Sequence, residues 1–174
     1  MDNGRSFDAD FAFSRRYLRH MKAIVGANLI GEAPEEEDRH HNTDLVVFRL
    51  ETKRIACRVR QHRYFDVPKY RDEFTIRTSR PSGVASELLK IMRGWGDYIL
   101  YGFAAPSGDR LCAWVLGDLY VFREWYFHQM VDTGAEPGER QTNGDGSSNF
   151  RAYRIGDLPA AFVVDRKVLE PVLL

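Results

Sequence analysis

The sequence predicts an α/β fold: a single domain with a central mixed β-sheet flanked by helices. Three observations lead to this prediction. The length of 174 residues suits one hydrophobic core. Apolar residues recur at helical spacing over residues 7–25 and again over 82–93, and strand-like runs lie between and after these segments. Strands and helices that interleave along a chain are typical of α/β proteins.

The first helix is predicted over residues 7–25. Phe7, Phe11, Leu18 and Met21 recur at helical spacing, and Gly26 supplies a stop signal. A short strand around residues 28–30 and a charged connection over 34–41 are expected to follow. The four acids of that connection fit a solvated loop, with a role as metal ligands as the alternative.

Residues 42–60 are the segment in which a site is predicted. Two strands, 44–50 and 54–60, are joined by a short polar turn. In the second strand, apolar residues at 55, 57 and 59 alternate with residues 54, 56, 58 and 60, of which three are arginines. The pattern fits either an ordinary hairpin with a solvated arginine face or a site built from Asp44, Arg58 and Arg60.

The charge distribution is uneven although the formal net charge is zero. Residues 49–80 hold ten basic and four acidic residues, a local surplus of six positive charges. This surplus predicts a patch for an anionic partner, with a solvated edge as the alternative. Within it, segment 61–71 interleaves aromatic residues with cations, as nucleic-acid surfaces do; rings tucked onto the core are the alternative.

The rest of the chain alternates between strand and helix patterns. Strands are predicted over residues 73–77, 98–103, 111–116 and 150–155. Ser82 is the predicted cap of a helix through residue 93, which would complete a βαβ-like unit, and Asp118 the predicted cap of a helix through residue 130. Residues 131–149 are almost without apolar side chains and are predicted to be a flexible loop within the single domain 1–174.

Composition also limits where the protein is expected to work. No run is long and apolar enough to span a membrane, and the polar N-terminus is unlike a secretory signal. Cys57 and Cys112 fall in predicted strands and outside any CxxC pattern, so neither a zinc site nor a disulfide is expected. We therefore expect a protein of a reducing, cytoplasmic compartment with no membrane partner.

The order helix, paired strands, strand, helix, strand resembles the core of the PD-(D/E)XK nuclease superfamily, and its Holliday-junction resolvase-like members in particular. The likeness is carried by TDLVV at residues 43–47, RIACRVRQ at 54–61 and GDYILY at 96–101. It covers roughly residues 10–103. The resemblance implies a restriction-endonuclease-like fold.

The resemblance also implies a site, with one departure from the (D/E)xK motif. In the superfamily, an aspartate and the acid of this motif hold Mg²⁺, and the lysine helps to activate water. Asp44 corresponds to the aspartate, whereas Arg58 and Arg60 stand where the second acid and the lysine belong. A guanidinium cannot ligate Mg²⁺, so Glu73, or Glu87 as the second choice, is expected to supply the missing carboxylate.

Two functions stay open at this point. In the first, the chain is a metal-dependent DNA endonuclease of phage-encoded style, using Mg²⁺ or Mn²⁺. Its catalytic residues would be Asp44, Arg60, Glu73 and Glu87, with Asp44 and Glu73 as metal ligands.

In the second, a catalytically degenerate protein keeps the fold and binds only nucleic acid or a protein partner, which Arg58 favours. A homodimer is compatible with either function. The residues expected to contact nucleic acid are Arg58, Gln61, Arg63, Tyr64, Lys69, Arg71, Arg77 and Arg80.

Overall fold

A computed structural model describes residues 7–27, 30–32, 45–47, 53–79, 85–143, 146 and 148–167. Two residues of the predicted site, Asp44 and Arg80, lie outside the described residues, as does the predicted helix cap Ser82. In chain order, the helices are α1 Phe7–Ala27, α2 His62–Phe65, α3 Pro68–Arg71, α4 Glu87–Met92 and α5 Leu119–Thr133.

The strands are β1 Ile30–Glu32, β2 Leu45–Val47, β3 Ile55–Arg60, β4 Glu73–Arg77, β5 Tyr98–Ala104, β6 Leu111–Asp118, β7 Glu139–Thr142, β8 Asn149–Arg154 and β9 Val163–Lys167. Two single 3₁₀ turns, Ile155–Asp157 and Ala160–Phe162, separate β8 from β9.

The central sheet has four strands in the order β3-β5-β6-β9. It is mixed, because β3 is parallel to β5 while β5, β6 and β9 pair antiparallel. A second sheet, β4-β8-β7, is antiparallel, and β1 pairs with β2. The α/β class and the mixed sheet are thus confirmed, whereas the second sheet was not predicted.

Helix α1 covers one face of the central sheet. Tyr17, Met21 and Ile24 of α1 are buried and cluster with Leu100 and Leu116. Among the residues whose helical spacing predicted α1, Met21 is buried, whereas Leu18 is 39% exposed, so the buried side is centred on Tyr17, Met21 and Ile24. This packing also fixes which face of β3 looks away from α1.

The other face of the central sheet packs against the second sheet and α5. Phe74 of β4 lies at the centre of this larger core, with ring centroids 5.3 Å from Phe162 and 5.7 Å from Phe122. Asp118 caps α5, as predicted, by accepting hydrogen bonds from the backbone N–H groups of Tyr120 at 2.7 Å and Val121 at 3.2 Å.

Four predictions about individual elements need correction or amendment. The predicted hairpin of strands 44–50 and 54–60 is replaced, in the described residues, by separate pairings of β2 with β1 and β3 with β5. Ser86 rather than Ser82 caps α4, because its side chain accepts a hydrogen bond from the backbone N–H of Leu89.

The predicted βαβ-like unit is also different. β4 belongs to the second sheet, so the parallel partner of β5 is β3. Segment 131–149 contains the end of α5, a left-handed cap at Gly134 and strand β7. It therefore has regular structure, and its flexibility stays a prediction.

Candidate nucleic-acid interface

Two arginines stand side by side on the face of β3 that looks away from α1. Arg58 lies in register with Tyr101 and Arg60 with Phe103, and both aromatic residues belong to the larger core. On the other side of the strand, residues 55 and 59 pack in the α1 cluster, as strand alternation requires. Arg63 contacts the same Tyr64 ring as Arg60. The backbone N–H of Arg77 donates to Glu87, which also accepts from Arg58. We call Arg58, Arg60, Arg63 and Arg77 the arginine face.

Glu87 links β3 to β4 within this face. Its Oε2 accepts a hydrogen bond from Nη2 of Arg58 and a second from the backbone N–H of Arg77 at 3.1 Å. The side chains of Arg58 and Glu87 are 28% and 20% exposed, so solvent screens this ion pair less than a surface pair. The cap at Ser86 places Glu87 in the first turn of α4. A carboxylate from α4 thus reaches the strand position at which the resemblance expects an acid.

Arg60 is held between two tyrosine rings. Its Cζ lies 4.4 Å from the ring centroid of Tyr64 and 4.8 Å from that of Tyr70. The two rings meet edge to face with centroids 5.9 Å apart. Nη1 of Arg60 is buried and has no hydrogen-bond partner among the described residues. The guanidinium is therefore fixed in direction while one nitrogen keeps its donors unused.

Glu73 is a buried acid near this arginine. Only 2% of Glu73 is exposed, and its Oε2 has no hydrogen-bond partner among the described residues. Burial raises the pKa of the Glu73 carboxyl, against the lowering effects of Lys69 and Arg60. A buried acid that lacks partners shifts toward its neutral form. Glu73 therefore opposes the positive charge of the arginine face less than an exposed glutamate would.

Tyr101 is a buried residue of β5 that lies in register with Arg58. Its hydroxyl shares a hydrogen bond of 3.1 Å with Oγ1 of Thr75, which joins the central sheet to the second sheet. Burial raises the pKa of Tyr101, and the charges of Arg60 and Arg58 act in the opposite direction. The tyrosine is therefore a neutral hydrogen-bonded support for the arginine face at ordinary pH.

Two rings of segment 61–71 pack against the core, as in the alternative to a nucleic-acid surface, but both stay half-buried. Tyr64 and Phe65 contact the larger core, and the Phe65 ring lies 5.6 Å from that of Phe103. Nε of Arg71 donates to the carbonyl of Phe65 at 2.7 Å. These rings are expected to support arginines rather than to stack on bases.

The structure brings together some of the predicted site residues and separates others. Arg58 contacts Glu87, and Arg60 lies near Glu73, whereas Lys69 forms an ion pair of 2.9 Å with Glu139 at the edge of the second sheet. Gln61 precedes α2 and makes no capping hydrogen bond with its side chain. The roles of the predicted site residues in catalysis or nucleic-acid binding stay predictions.

Sequence patterns alone did not indicate two supporting residues, Thr75 and Tyr101, whereas Tyr70 belongs to the interleaved aromatic residues of segment 61–71. Tyr101 could have been found from its place on a parallel strand beside Arg58, had the β3–β5 pairing been known. Tyr70 is brought to Arg60 by the two short helices that follow β3.

The described carboxylates do not by themselves form a magnesium site. Among the described residues, no group of three or more His, Cys, Asp or Glu side chains is placed to hold a metal ion. Glu87 is engaged by Arg58, and Glu73 is buried beside Lys69 and Arg60. Asp44, the ligand that the resemblance puts first, lies outside the described residues.

Comparisons with protein-family models, with curated proteins and with solved structures find no match for this chain. In the part of the chain that the structure describes, no helix combines the length and the apolar character needed to cross a membrane.

Proposed function

We propose that this chain binds nucleic acid, with DNA as the expected partner, by holding backbone phosphates on the arginine face. The fixed position of the half-buried Arg60 side chain between Tyr64 and Tyr70 carries the proposal. A guanidinium presents its donors in a planar fork that matches phosphate oxygens. Four arginines face two acids, Glu73 and Glu87, so the local formal charge is +2.

Preorganisation strengthens this argument. Arg60 already lies between Tyr64 and Tyr70, so binding would not have to pay for ordering a free side chain. Since the rings pack toward the core, they offer little surface to bases. The expected contacts are to phosphates, which position a protein on the duplex without reading its sequence. We therefore expect binding with little sequence preference.

The restriction-endonuclease-like architecture is part of the same proposal. The parallel pairing of β3 with β5, which are separated in the chain by α2, α3, β4 and α4, supports it. The position of Arg58 favours a member of that superfamily that binds without cleaving, because a guanidinium occupies the place of a metal ligand.

A second candidate function, metal-dependent DNA cleavage, is favoured by the position of Glu87. This carboxylate reaches from α4 to Arg58, as expected if the acid that the resemblance places on the strand is supplied by the helix in this chain. Together with Asp44 it would provide two oxygen ligands of the kind that Mg²⁺ prefers. The competing attraction of Arg58 for Glu87 makes this function the second choice.

Fluorescence anisotropy with two unrelated labelled duplexes and a four-way junction tests the first function. Arg63→Gln should weaken binding to all three DNAs by a similar factor, because a lost phosphate contact acts uniformly across sequences. Arg19→Gln is the matched control, since Arg19 is an exposed residue of α1 on the opposite side of the central sheet. Equal affinities of wild type and Arg63→Gln, or no saturable binding at low salt, would rule out the proposal.

Cleavage assays separate the two functions. Plasmid and branched DNA are incubated with high enzyme concentrations in Mg²⁺ or Mn²⁺, in parallel with Glu87→Gln. Binding without cleavage by any metal supports the first function. Cleavage that Glu87→Gln abolishes, with Mg²⁺ or Mn²⁺ affinity lost in calorimetry, would establish the second.

A further inference from the structure

A cavity of about 520 Å³ lies where the second sheet meets the end of α5. Its walls are Trp125, Gln129 and Thr133 of α5, the chain segment 135–139, and the end of β8. Cavities of this size are typical of small-molecule sites.

Two buried polar atoms belong to residues that line this cavity. Glu73 is 2% exposed and Tyr153 is 1% exposed. Neither Oε2 of Glu73 nor the hydroxyl of Tyr153 has a hydrogen-bond partner among the described residues. Since buried polar atoms in native proteins are nearly always paired, this arrangement suits a partner from outside the described residues, such as a bound small molecule. A carboxylate oxygen accepts hydrogen bonds and a tyrosine hydroxyl can accept as well as donate, so a partner with N–H or O–H donors can satisfy both atoms.

The charge of the walls indicates the sign of that partner. The charged residues that line the cavity are Glu73, Glu136, Glu139, Asp157 and Arg154. Glu136 is paired with Arg151 at 2.6 Å and Glu139 with Lys69 at 2.9 Å. The remaining charges of Asp157 and Arg154 balance when the Glu73 carboxyl is neutral. A cation bound beside Glu73 would favour the charged form of this carboxyl, whereas an anion would disfavour it.

The walls also distinguish an organic cation from a metal ion. No metal-holding group of three or more ligand side chains occurs among the described residues. Trp125 instead offers a half-buried aromatic surface, which attracts cations through the ring quadrupole. We propose that this cavity binds a small organic cation with a guanidinium or primary ammonium group, whose N–H donors reach Glu73 and Tyr153.

This proposal is independent of nucleic-acid binding and has its own assay. Isothermal titration calorimetry with agmatine, which carries a guanidinium and an ammonium group, tests for saturable binding. Butylurea is the neutral control of similar shape. We expect agmatine to bind and butylurea to give no saturable heat. Absence of saturable agmatine binding, or equal binding of the two compounds, would overturn the proposal.

Variants locate the site. Glu73→Gln and Asp157→Asn should each weaken agmatine binding by about tenfold, because each removes a charged acceptor. Glu124→Gln is the matched control, since Glu124 is an exposed acid of α5 that does not line the cavity. Tyr153→Phe retains the ring and removes only the hydroxyl, so it should also weaken binding. Unchanged agmatine affinity in variants whose thermal melting shows that they are folded would place the cation elsewhere.

Discussion

The ion pair between Arg58 and Glu87 can be tested by removing one charge. Glu87→Gln retains the shape of the side chain and one acceptor, so the hydrogen bond from the backbone N–H of Arg77 can persist. The charge-assisted bond to Arg58 is lost. Hydrogen bonds to charged groups contribute ~1.5–3 kcal/mol, and this pair is mostly buried, so we expect the free energy of unfolding to fall by about 2 kcal/mol. For a chain of this length, that loss lowers Tm by roughly 4–8 °C.

A double-mutant cycle with Arg58→Met isolates the pair from other effects of the substitutions. Urea unfolding of the wild type, the two single variants and the double variant should give a coupling energy of about 1–2 kcal/mol, within the range for residues in contact. Because Met covers the same apolar surface without a charge, the double variant should be more stable than the sum of the single losses implies. Strictly additive losses would refute the reasoning.

The same variant has a functional consequence. Glu87→Gln removes one negative charge from the arginine face and releases the guanidinium of Arg58 for phosphate. DNA affinity without metal should therefore rise and depend more steeply on salt. Weaker DNA binding by folded Glu87→Gln would show that Glu87 positions Arg58 for DNA instead of competing with DNA for it.

Three further predictions concern packing, capping and pH. Gly117→Ala should destabilise the fold by ~1–3 kcal/mol in urea unfolding, because a Cβ there would lie 2.3 Å from Cζ of the buried Phe162. Gly26→Ala in α1 is the control. A Cβ at this position meets nothing within 4 Å, so the change should be neutral or stabilising. Asp118→Ala should cost ~1 kcal/mol through the lost cap of α5, with Asp118→Asn retaining most of the stability; equal losses for Ala and Asn would contradict a capping role. Because burial raises the pKa of Glu73, the folded state retains a proton that the unfolded state releases, so stability should fall as pH rises from the ordinary glutamate range through the folded value. Glu73→Gln should abolish that fall in pH-dependent unfolding, and a wild-type profile without it would show that Glu73 ionises normally.

Local patterns in the sequence were sufficient for part of the fold. The apolar spacing of α1, the alternation of β3 and the cap at Asp118 each depend on neighbours within a few residues. Strand β7 could not be predicted in this way, because its sequence ERQT has no apolar alternation. It forms by pairing with β8, and Gly138 before it fits closely against Tyr153.

In the candidate site, too, some features follow from neighbouring residues in the sequence and others depend on tertiary packing. Strand alternation was enough to put Arg58 and Arg60 on one face. The burial of Glu73 is unlike the usual exposure of glutamate. The pairing of Glu87 with Arg58 required α4 to pack beside β4, where Glu87 also accepts from the backbone of Arg77. The tyrosines around Arg60 depend on the turn formed by α2 and α3. Local patterns thus identified the charged residues, and the tertiary fold selected their partners.

The most direct test of the central claim is the salt dependence of DNA affinity in wild type and Arg60→Gln. Fluorescence anisotropy over a series of salt concentrations gives the slope of the logarithm of affinity against the logarithm of salt. If Arg60 holds a phosphate, the slope should become shallower by about one in the variant, as one fewer counterion is released. Thermal melting of the same samples shows that the variant is folded. An unchanged slope and affinity in folded Arg60→Gln would contradict the account.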